Sequence, residues 1–495
     1  MKKRRQIDGH CCGRIQRRSF LADIGMGFTG LALGSMLAED QLAGAEAKSG
    51  QSPDGLPHHR PRAQSVIWVF LSGGYSQMET FDPKPALNKY AGKTFQETPF
   101  ENPLDSPLHD KRSRSVIEMV RDKYSTIFPM QIGHRKHGES GIEVTDWWPH
   151  LAGCVDEISF VRNLWTTDND HAAENQIHTG RHMLDETQPS IGSWISYGLG
   201  SVNDNLPRFS VLGGPTRADT RSSFESYYLG PQFSGVPLSL DPANPLPYGK
   251  RAGDVLPQQQ RNEFDLIGKL NQLSGVEYPD DPAVLARIRA YELAYRMQTA
   301  VPEAMELAEE TKQVEQLYGL DDSKTKVAGQ RLLAARRLVE RGVRFVQVYP
   351  TDYGRWDSHK NLKVLHGQMS ESVDKPIAGL IKDLKQRGLM DDVLVVFCTE
   401  FGRTPAIEER GGGTDGRDHH PHGFTVWLAG AGVKRGYVHG ATDELGFHAI
   451  EPGHYVTDLH ATVLDLMGLD GRRLAVPGRK RLEIDHGQPI RDIYA

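Results

Sequence analysis

Short apolar runs alternate with amphipathic stretches along most of the chain from Ser65 onward. Five of these runs contain mainly buried-type residues and end at Gly or polar residues, which favours strands buried on both faces. They are SVIWVFL (65–71), EISFVRNLW (157–165), VRFVQVY (343–349), DVLVVFC (392–398) and FTVWLAG (424–430). Between them, VAGQRLLAARRLVERG (327–342) and ESVDKPIAGLIKDLKQRG (371–388) carry apolar residues at helical spacing. The alternation predicts an α/β fold, with a mostly parallel central sheet sandwiched by helices.

Two segments break this pattern and divide the chain. Residues 46–64 are polar, Pro-rich and without periodicity, which is typical of a linker. Residues 206–275 are rich in Pro, Gly, Ser and aromatic residues, and we expect a loop-rich insertion over one edge of the sheet. That insertion is either a lid that shapes substrate access or a surface elaboration. The rest of 65–495 is predicted to form one α/β domain.

The first 45 residues combine a basic start, the pair Arg17-Arg18 and an apolar run rich in small residues. They resemble a twin-arginine export signal, although Gln16 stands where that signal usually has Ser or Thr. The apolar run is too short to span a bilayer, so we expect no stable membrane span after cleavage near Ala45 or Ala47. A short membrane-anchoring helix is the alternative. The resemblance implies export of the folded chain to the periplasm or cell surface, often with a metal or cofactor already loaded.

Charge and cysteine content exclude several classes of protein. The formal net charge is −6, and there is no electrostatic reason to expect nucleic acid as a partner. Removal of the first 45 residues, with seven Lys and Arg against four Asp and Glu, makes the mature chain three charges more negative. Of the four cysteines, only Cys154 and Cys398 lie beyond the signal. Neither a disulfide framework nor a four-cysteine zinc site can be built from two residues.

Side chains that commonly bind metals follow the predicted strands. Ligands of open α/β sheets bind outside the carboxyl ends of the strands, so residues distant in sequence are expected to meet there. Carboxylate and imidazole groups suit Zn²⁺, Mn²⁺ or Fe, and the sequence GRDHHPHGF (416–424) concentrates both in one turn. Arg403 either pairs with Glu400 or contacts an anionic substrate. The candidate metal ligands are Asp357, His359, Glu400, Asp418, His419, His420 and His422.

Five ordered segments carry a family resemblance that covers most of 65–495. They are FLSGGYSQMETFDPKP (70–85), WDSH (356–359), TEFGRTP (399–405), GRDHHPHGF (416–424) and TDLHATVLDLMGLD (457–470). Together they resemble the DUF1501 proteins, a group related to the alkaline phosphatase and sulfatase superfamily. The resemblance implies that superfamily's α/β sandwich, one or two divalent metals, and transfer of phosphoryl or sulfuryl groups. In the last segment Asp458 and His460 are as compatible with a structural role as with a functional one.

The chain also departs from the sulfatase pattern. Sulfatases convert a Cys or Ser in a C/S-x-P-x-R motif into formylglycine, and neither Cys154 nor Cys398 begins such a motif. The segment HAAENQIHTGRHM (171–183) resembles the sulfatase nucleophile helix in position and in its T-G-R ending, yet no Ser or Cys stands at its start. His171 and Glu174 are placed to face the metals, as nucleophile, ligand or general acid. A metal-activated water is the alternative nucleophile.

The resulting hypothesis is an exported metal-dependent hydrolase of phosphate or sulfate esters. One or two divalent ions, Zn²⁺ first, with Mn²⁺ or Ca²⁺ as alternatives, would polarise the ester and lower the pKa of a bound water. The expected partner is an anionic ester, a sulfated polysaccharide among them, with His171, Glu174 and Arg403 as catalytic residues. The competing hypothesis is a catalytically silent exported protein that binds a sulfated or phosphorylated polysaccharide or a cell-surface partner. Natural substrate, metal identity and oligomeric state stay open.

Overall fold

A computed structural model describes residues 53–112, 124–171, 173–182, 184–214, 223–247, 257–277, 282–409 and 415–495. The export signal predicted for residues 1–45, with Arg17-Arg18, lies outside the described residues, as does the first part of the 46–64 linker. Among the helices that are described, none combines the length and the apolar character needed to cross a bilayer.

The five predicted strands all form, and they belong to one nine-stranded sheet. The predicted runs become β1, β4, β7, β8 and β11 of the following set. The strands are β1 (Ser65–Phe70), β2 (His134–His137), β3 (Ile142–Thr145), β4 (Ile158–Trp165), β5 (Phe209–Leu212), β6 (Val236–Leu238), β7 (Phe345–Val348), β8 (Val393–Cys398), β9 (Gly402–Arg403), β10 (His419–His420), β11 (Phe424–Ala429), β12 (Tyr437–His439) and β13 (His454–Tyr455).

The sheet is mostly parallel, as predicted. Its order is β12-β4-β11-β8-β1-β7-β5-β6, and β13 pairs with β4 beside β12. Only β11 runs against its neighbours β4 and β8, while every other pair in this sheet is parallel. Two antiparallel pairs lie outside it, β2 with β3 and β9 with β10.

Helices cover both faces of the sheet. The helix predicted at 327–342 is α8, and the one predicted at 371–388 is the longer α9, which begins at Leu362. The helices are α1 (Pro85–Lys89), α2 (Pro107–Arg112), α3 (Ala173–Thr179), α4 (Ile191–Leu199), α5 (Pro257–Glu277), α6 (Pro282–Met305), α7 (Lys312–Leu317), α8 (Lys326–Glu340), α9 (Leu362–Gln386) and α10 (Val456–Leu466).

The alternation of side chains along β1 divides the core into two layers. Ile67 and Val69 pack into the layer that contains the buried faces of α8 and α9. Val66, Trp68 and Phe70 point the other way, into the layer that contains α4 and α10. Successive strand residues face opposite sides of a sheet, so a strand buried on both faces must be apolar throughout. Complete burial of each large apolar side chain stabilises the fold by about 1.5–3 kcal/mol.

The segment 206–275 contributes more to the fold than a loop-rich insertion. Its runs FSVL and VPL form β5 and β6, which extend the sheet in parallel beyond β7, and α5 begins at Pro257. These strands are only four and three residues long, and they lie among Pro and Gly residues that usually mark turns. Pairing with β7, which is distant in sequence, supplies the hydrogen bonds that define β5 as a strand.

Candidate metal centre

The carboxyl ends of three adjacent parallel strands place the candidate residues together. Because β7, β1 and β8 run in the same direction, the segments that follow them emerge at one edge of the sheet. Gly73, just after β1, has φ +120° and donates its N–H to Glu400 at 2.7 Å. A Cβ at this position would lie 2.5 Å from the backbone N of Asp357. The absence of a side chain at Gly73 therefore lets the three segments meet.

Asp357 is the centre of the site, because three imidazoles and one guanidinium converge on its carboxylate. The Nε2 atoms of His171 and His359 lie 2.9 Å from it, that of His419 lies 3.0 Å from it, and Arg403 donates to it at 2.7 Å. Burial alone would raise the pKa of Asp357, but hydrogen bonds from the three imidazoles and the Arg403 charge hold it well below its ordinary value. Asp357 is therefore ionised throughout the physiological range.

The far nitrogens of two of these rings are held by oxygen atoms. His419 Nδ1 lies 2.7 Å from the carbonyl oxygen of Asn169, and His359 Nδ1 contacts the buried carboxylate of Glu408. A carbonyl oxygen only accepts, so Nδ1 of His419 carries the hydrogen. Such contacts to a carbonyl or carboxylate are the usual way in which proteins orient metal-binding histidines and leave Nε2 as the ligand.

Two overlapping groups have the spacing of metal ligands. In His171, Asp357 and His419, and again in His359, Asp418 and His419, the ligand atoms lie within 4.8 Å of one another. Both groups contain His419. Without an ion, the carboxylate of Asp357 is held by hydrogen bonds from three imidazoles. A divalent cation would replace the protons of these hydrogen bonds, because metal binding releases protons from its ligands. The donor set of nitrogen and carboxylate oxygen fits Zn²⁺ or another transition metal.

Glu400 and Glu174 lie together in the buried floor of the site. His171 Nδ1 is 3.7 Å from Glu400, and Glu174, inside α3, accepts hydrogen bonds from Ser72 Oγ at 2.9 Å and Tyr349 OH at 3.2 Å. Burial, and then the neighbouring charge of Glu400, raise the pKa of Glu174 to about 8. At neutral pH Glu174 is therefore largely protonated.

Arg403 is fully buried, and its donors are engaged by the protein. Nε donates to Gly74 O at 2.7 Å, one Nη donates to Arg417 O at 3.1 Å, and the other contacts Gly73 O and Asp357. None of its surface is exposed. Arg403 thus ties the loop after β1 to Asp357, and this geometry does not support direct contact with an anionic substrate. It pairs with Asp357, whereas the sequence analysis had offered Glu400 as its partner.

His420 and His422 do not join the other candidates. His419 and His420 are consecutive in β10, so their side chains face opposite ways. His420 Nε2 lies 2.6 Å from Phe447 O, and the His422 ring stacks on Phe447 at 5.9 Å between centres. The turn 418–422 therefore supplies Asp418 and His419 to the centre and directs its other two histidines elsewhere.

Several residues have roles that the sequence did not distinguish. Glu408 was not a candidate, because in AIEERGGG it resembles a charged surface residue, yet it is 3% exposed and contacts His359. In α10, Asp458 bonds to His454 at 3.1 Å and to the backbone N of Gln488 at 2.7 Å, while His460 donates to a backbone carbonyl of α3. These contacts are structural.

The exposed side of the centre shows where a ligand can approach. The side chains of His171, Asp357 and His359 are 21%, 21% and 27% exposed, whereas His419 is 2% exposed and Glu400 is not exposed at all. A cavity of about 490 Å³ lies elsewhere, and no candidate residue lines it; Leu240 and Met305 are in its wall. We therefore place the approach to the centre at its shallow, solvent-facing side.

The chain is similar to several solved structures. One is the PsFucS1 sulfatase from Pseudoalteromonas sp., with 12% identity over 89% of this chain and 71% of that one and a TM-score of 0.34. Another is the phosphonate monoester hydrolase SpPMH from Silicibacter pomeroyi, with 14% identity, 70% and 71% coverage, and a TM-score of 0.35. A protein in the alkaline phosphatase superfamily from Vibrio parahaemolyticus has 10% identity, 94% and 80% coverage, and a TM-score of 0.34.

Likenesses at these identities and TM-scores assign no activity to this chain. No curated protein matches it. The model of one protein family, described as "Protein of unknown function (DUF1501)", matches residues 63–494, which include every residue of the centre. This protein therefore belongs to the DUF1501 family.

Proposed function

We propose that this protein is an exported, metal-dependent hydrolase of phosphate or sulfate esters. The observation that carries the proposal is the convergence of three imidazole nitrogens on Asp357 within 3.0 Å at the carboxyl edge of the sheet. Nitrogen and carboxylate ligands at this spacing are typical of transition-metal sites that act on esters.

Five residues would hold the metal, with His419 between two positions. His171 and Asp357 would bind on one side, and His359 and Asp418 on the other. A divalent ion held there would supply Lewis-acid polarisation of the ester and would make water a better nucleophile at neutral pH. Zn²⁺ is the first choice and Mn²⁺ the second, because Ca²⁺ prefers oxygen ligands alone.

The remaining residues of the centre position these ligands. Glu408 and the carbonyl of Asn169 orient His359 and His419, so that both Nε2 atoms face Asp357. Glu174 accepts hydrogen bonds from the Ser72 and Tyr349 hydroxyls next to Glu400. His171 lies just before α3, and because its side chain is partly exposed, it can also contact the substrate. We assign Arg403 to positioning, since its donors are already engaged.

Metal analysis followed by an ester panel tests the proposal. Purified protein should contain about one to two equivalents of Zn²⁺ per chain at this centre, and it should hydrolyse at least one of p-nitrophenyl phosphate, p-nitrophenyl sulfate, a phosphonate monoester or a sulfated oligosaccharide. His419→Gln removes the shared ligand and should lower metal affinity and turnover by about tenfold or more. His137→Gln, on the β2–β3 hairpin, is the matched control and should change neither.

A silent binding protein is the second candidate, and one observation favours it. The described residues include Cys154 and Cys398, both buried, and burial raises the pKa of both thiols. The Ser72 hydroxyl, near the centre, is buried and bound to Glu174. Neither cysteine is thus a ready nucleophile. Full metal occupancy with no hydrolysis across the panel, together with binding of a sulfated polysaccharide, would support this candidate and contradict the hydrolase.

A further inference from the structure

A second group of imidazoles lies apart from the centre, and we call it the distal histidine cluster. It contains His109 from α2, His420 and His422 from the 418–422 turn, and His448 from the loop before β13. The centre of the His422 ring lies 5.1 Å from those of His109 and His420 and 5.4 Å from that of His448. The rings of His109 and His448 are 6.0 Å apart. Three separate segments therefore bring four imidazoles to one point.

Backbone carbonyls orient two of these rings. His448 Nε2 lies 3.0 Å from Pro103 O, and His420 Nε2 lies 2.6 Å from Phe447 O. A carbonyl only accepts, so in both rings Nε2 carries the hydrogen, and in a neutral ring Nδ1 carries the lone pair. This arrangement is characteristic of histidines that bind metals through the opposite nitrogen.

Two nitrogens in the cluster are buried without a partner among the described residues. They are Nδ1 of His448, in a residue that is 3% exposed, and Nδ1 of His109. An unsatisfied buried polar atom costs about 1–3 kcal/mol, so a bound ion or water is expected at each.

We propose that His109, His422 and His448 form a second transition-metal site, separate from the centre at Asp357. A tetrahedral Zn²⁺ with Zn–N distances of about 2.0–2.1 Å holds the ring centres about 5 Å apart, close to the observed 5.1, 5.4 and 6.0 Å. The cluster's nitrogens are spread more widely than the 4.8 Å groups of the centre, so binding requires rotation of at least one ring. A set of imidazoles alone selects Zn²⁺, Cu²⁺ or Ni²⁺ over Mg²⁺ and Ca²⁺.

The charges around the cluster permit a cation. Arg112, at the end of α2, is a positive group beside the cluster, and it donates to His422 O at 3.3 Å and Ala449 O at 2.7 Å. Its charge is partly offset by Glu451 at 3.4 Å, and its guanidinium lies over the Trp165 ring at 5.1 Å. An ion here would join α2 to the 418–422 turn and the 443–449 loop, which makes the site structural.

The two sites can be separated by removing the first. In the double variant Asp357→Asn/His419→Gln, chelated and reloaded with Zn²⁺ at pH 7.5, we expect about one equivalent of metal per chain to remain. Adding His448→Gln should remove it, and adding His137→Gln should not. Co²⁺ in the double variant should show visible bands of tetrahedral coordination that His448→Gln abolishes.

Single variants keep the test decisive if the double variant does not fold. His448→Gln or the less buried His109→Gln, in the otherwise unchanged chain, should lose one metal equivalent and retain the metal of the first centre. The same variants should lower the melting temperature in Zn²⁺ but not in chelator. Metal content and Zn²⁺-dependent melting that neither variant changes would overturn the second site, whatever the ester panel shows.

Discussion

At the scale of single residues, the centre is a set of polar side chains that share hydrogen bonds with one carboxylate. Asp357 contacts His171, His359, His419 and Arg403, so no charge of this group faces an apolar surface alone. Hydrogen bonds to ionised groups are shorter and stronger than neutral ones, and they hold side chains from distant segments in place. The chemistry of the centre and its stability therefore depend on the same bonds.

Arg403 gives a prediction about stability at this scale. Lys at position 403 would keep the charge but lose the planar fork that reaches Gly74 O, Arg417 O and Asp357 together. We expect Arg403→Lys to lower the free energy of unfolding by about 3 kcal/mol, as for other broken buried pairs. Urea unfolding measures it. The control, Arg435→Lys, changes a residue that is 55% exposed and should cost less than about 0.5 kcal/mol; equal effects would contradict the prediction.

At the scale of elements, the centre depends on how closely the connections after β1, β7 and β8 approach. The parallel register of these strands brings the connections to one edge, but a side chain at one crossing would separate them. Gly73 stands at that crossing, with the backbone N atoms of Trp356 and Asp357 2.7 and 2.5 Å from the position of a Cβ. The close approach of the three segments thus depends on a residue without a side chain.

Replacement of Gly73 tests this constraint. Gly73→Ala places a methyl group against backbone at φ +120°, so we expect a loss of about 1–3 kcal/mol or more, together with reduced metal affinity. Gly92→Ala is a matched control, because Gly92 has φ +76° and nothing lies within 4 Å of its Cβ position. Denaturant titration and metal analysis compare the two. A Gly73→Ala protein with normal stability and metal content would show that the three segments can separate without harm.

At the scale of the whole molecule, many histidines are buried in uncharged form. Burial lowers the pKa of His448 to about 3 and that of His460 to about 4, and it lowers the pKa of three others well below the ordinary value. Neutral imidazoles pack among aromatic rings without desolvating a charge. The three others are His178, His366 and His420.

These histidines predict a loss of stability on acidification. Unfolded imidazoles titrate near pH 6.5, so below that value the unfolded chain binds protons that the folded chain does not. The stability that these neutral histidines give to the folded chain is complete above about pH 6.5, and it falls as the pH drops toward about 4. Glu174, whose pKa is raised to about 8, acts in the opposite direction, as do His171, Asp374 and Asp443, whose pKa values are also raised. These four groups are fewer than the five histidines. The melting temperature should fall by several degrees between pH 7 and pH 5; a constant or rising value would contradict the prediction.

Export is the other prediction for the whole molecule, and it concerns residues outside the described part of the chain. If residues 1–45 form a twin-arginine signal, the receptor reads the two guanidinium groups of Arg17 and Arg18. The double change to Lys should keep the precursor in the cytoplasm, as cell fractionation would show. Replacing the nearby Arg14 by Lys is the control. Normal export of the double variant would point to another route.

The sequence by itself determined five of the strands, the fold class and most of the residue types in the candidate centre. Strands buried on both faces must be apolar, so β1, β4, β7, β8 and β11 could be recognised as apolar runs. The alternation of these runs with amphipathic helices predicted the sheet. It also predicted that polar residues after these strands would gather at one edge. These properties depend on local composition, which the chain carries within ten or so residues. Short strands such as β5 and β6 were missed because their identity comes from pairing, which is not local.

Only the tertiary structure decided which of the candidates face one another. In GRDHHPHGF the residue types of Asp418, His419, His420 and His422 are equally suitable, and the direction of each side chain follows from the pairing of β10 with β9. Likewise Glu408 resembles a surface charge until the fold brings it against His359. Distances between segments depend on packing across the whole chain, so the partner of a buried charge cannot be read from its neighbours in sequence. That is the physical reason why the residue types of the candidate centre could be predicted and the grouping of the histidines could not.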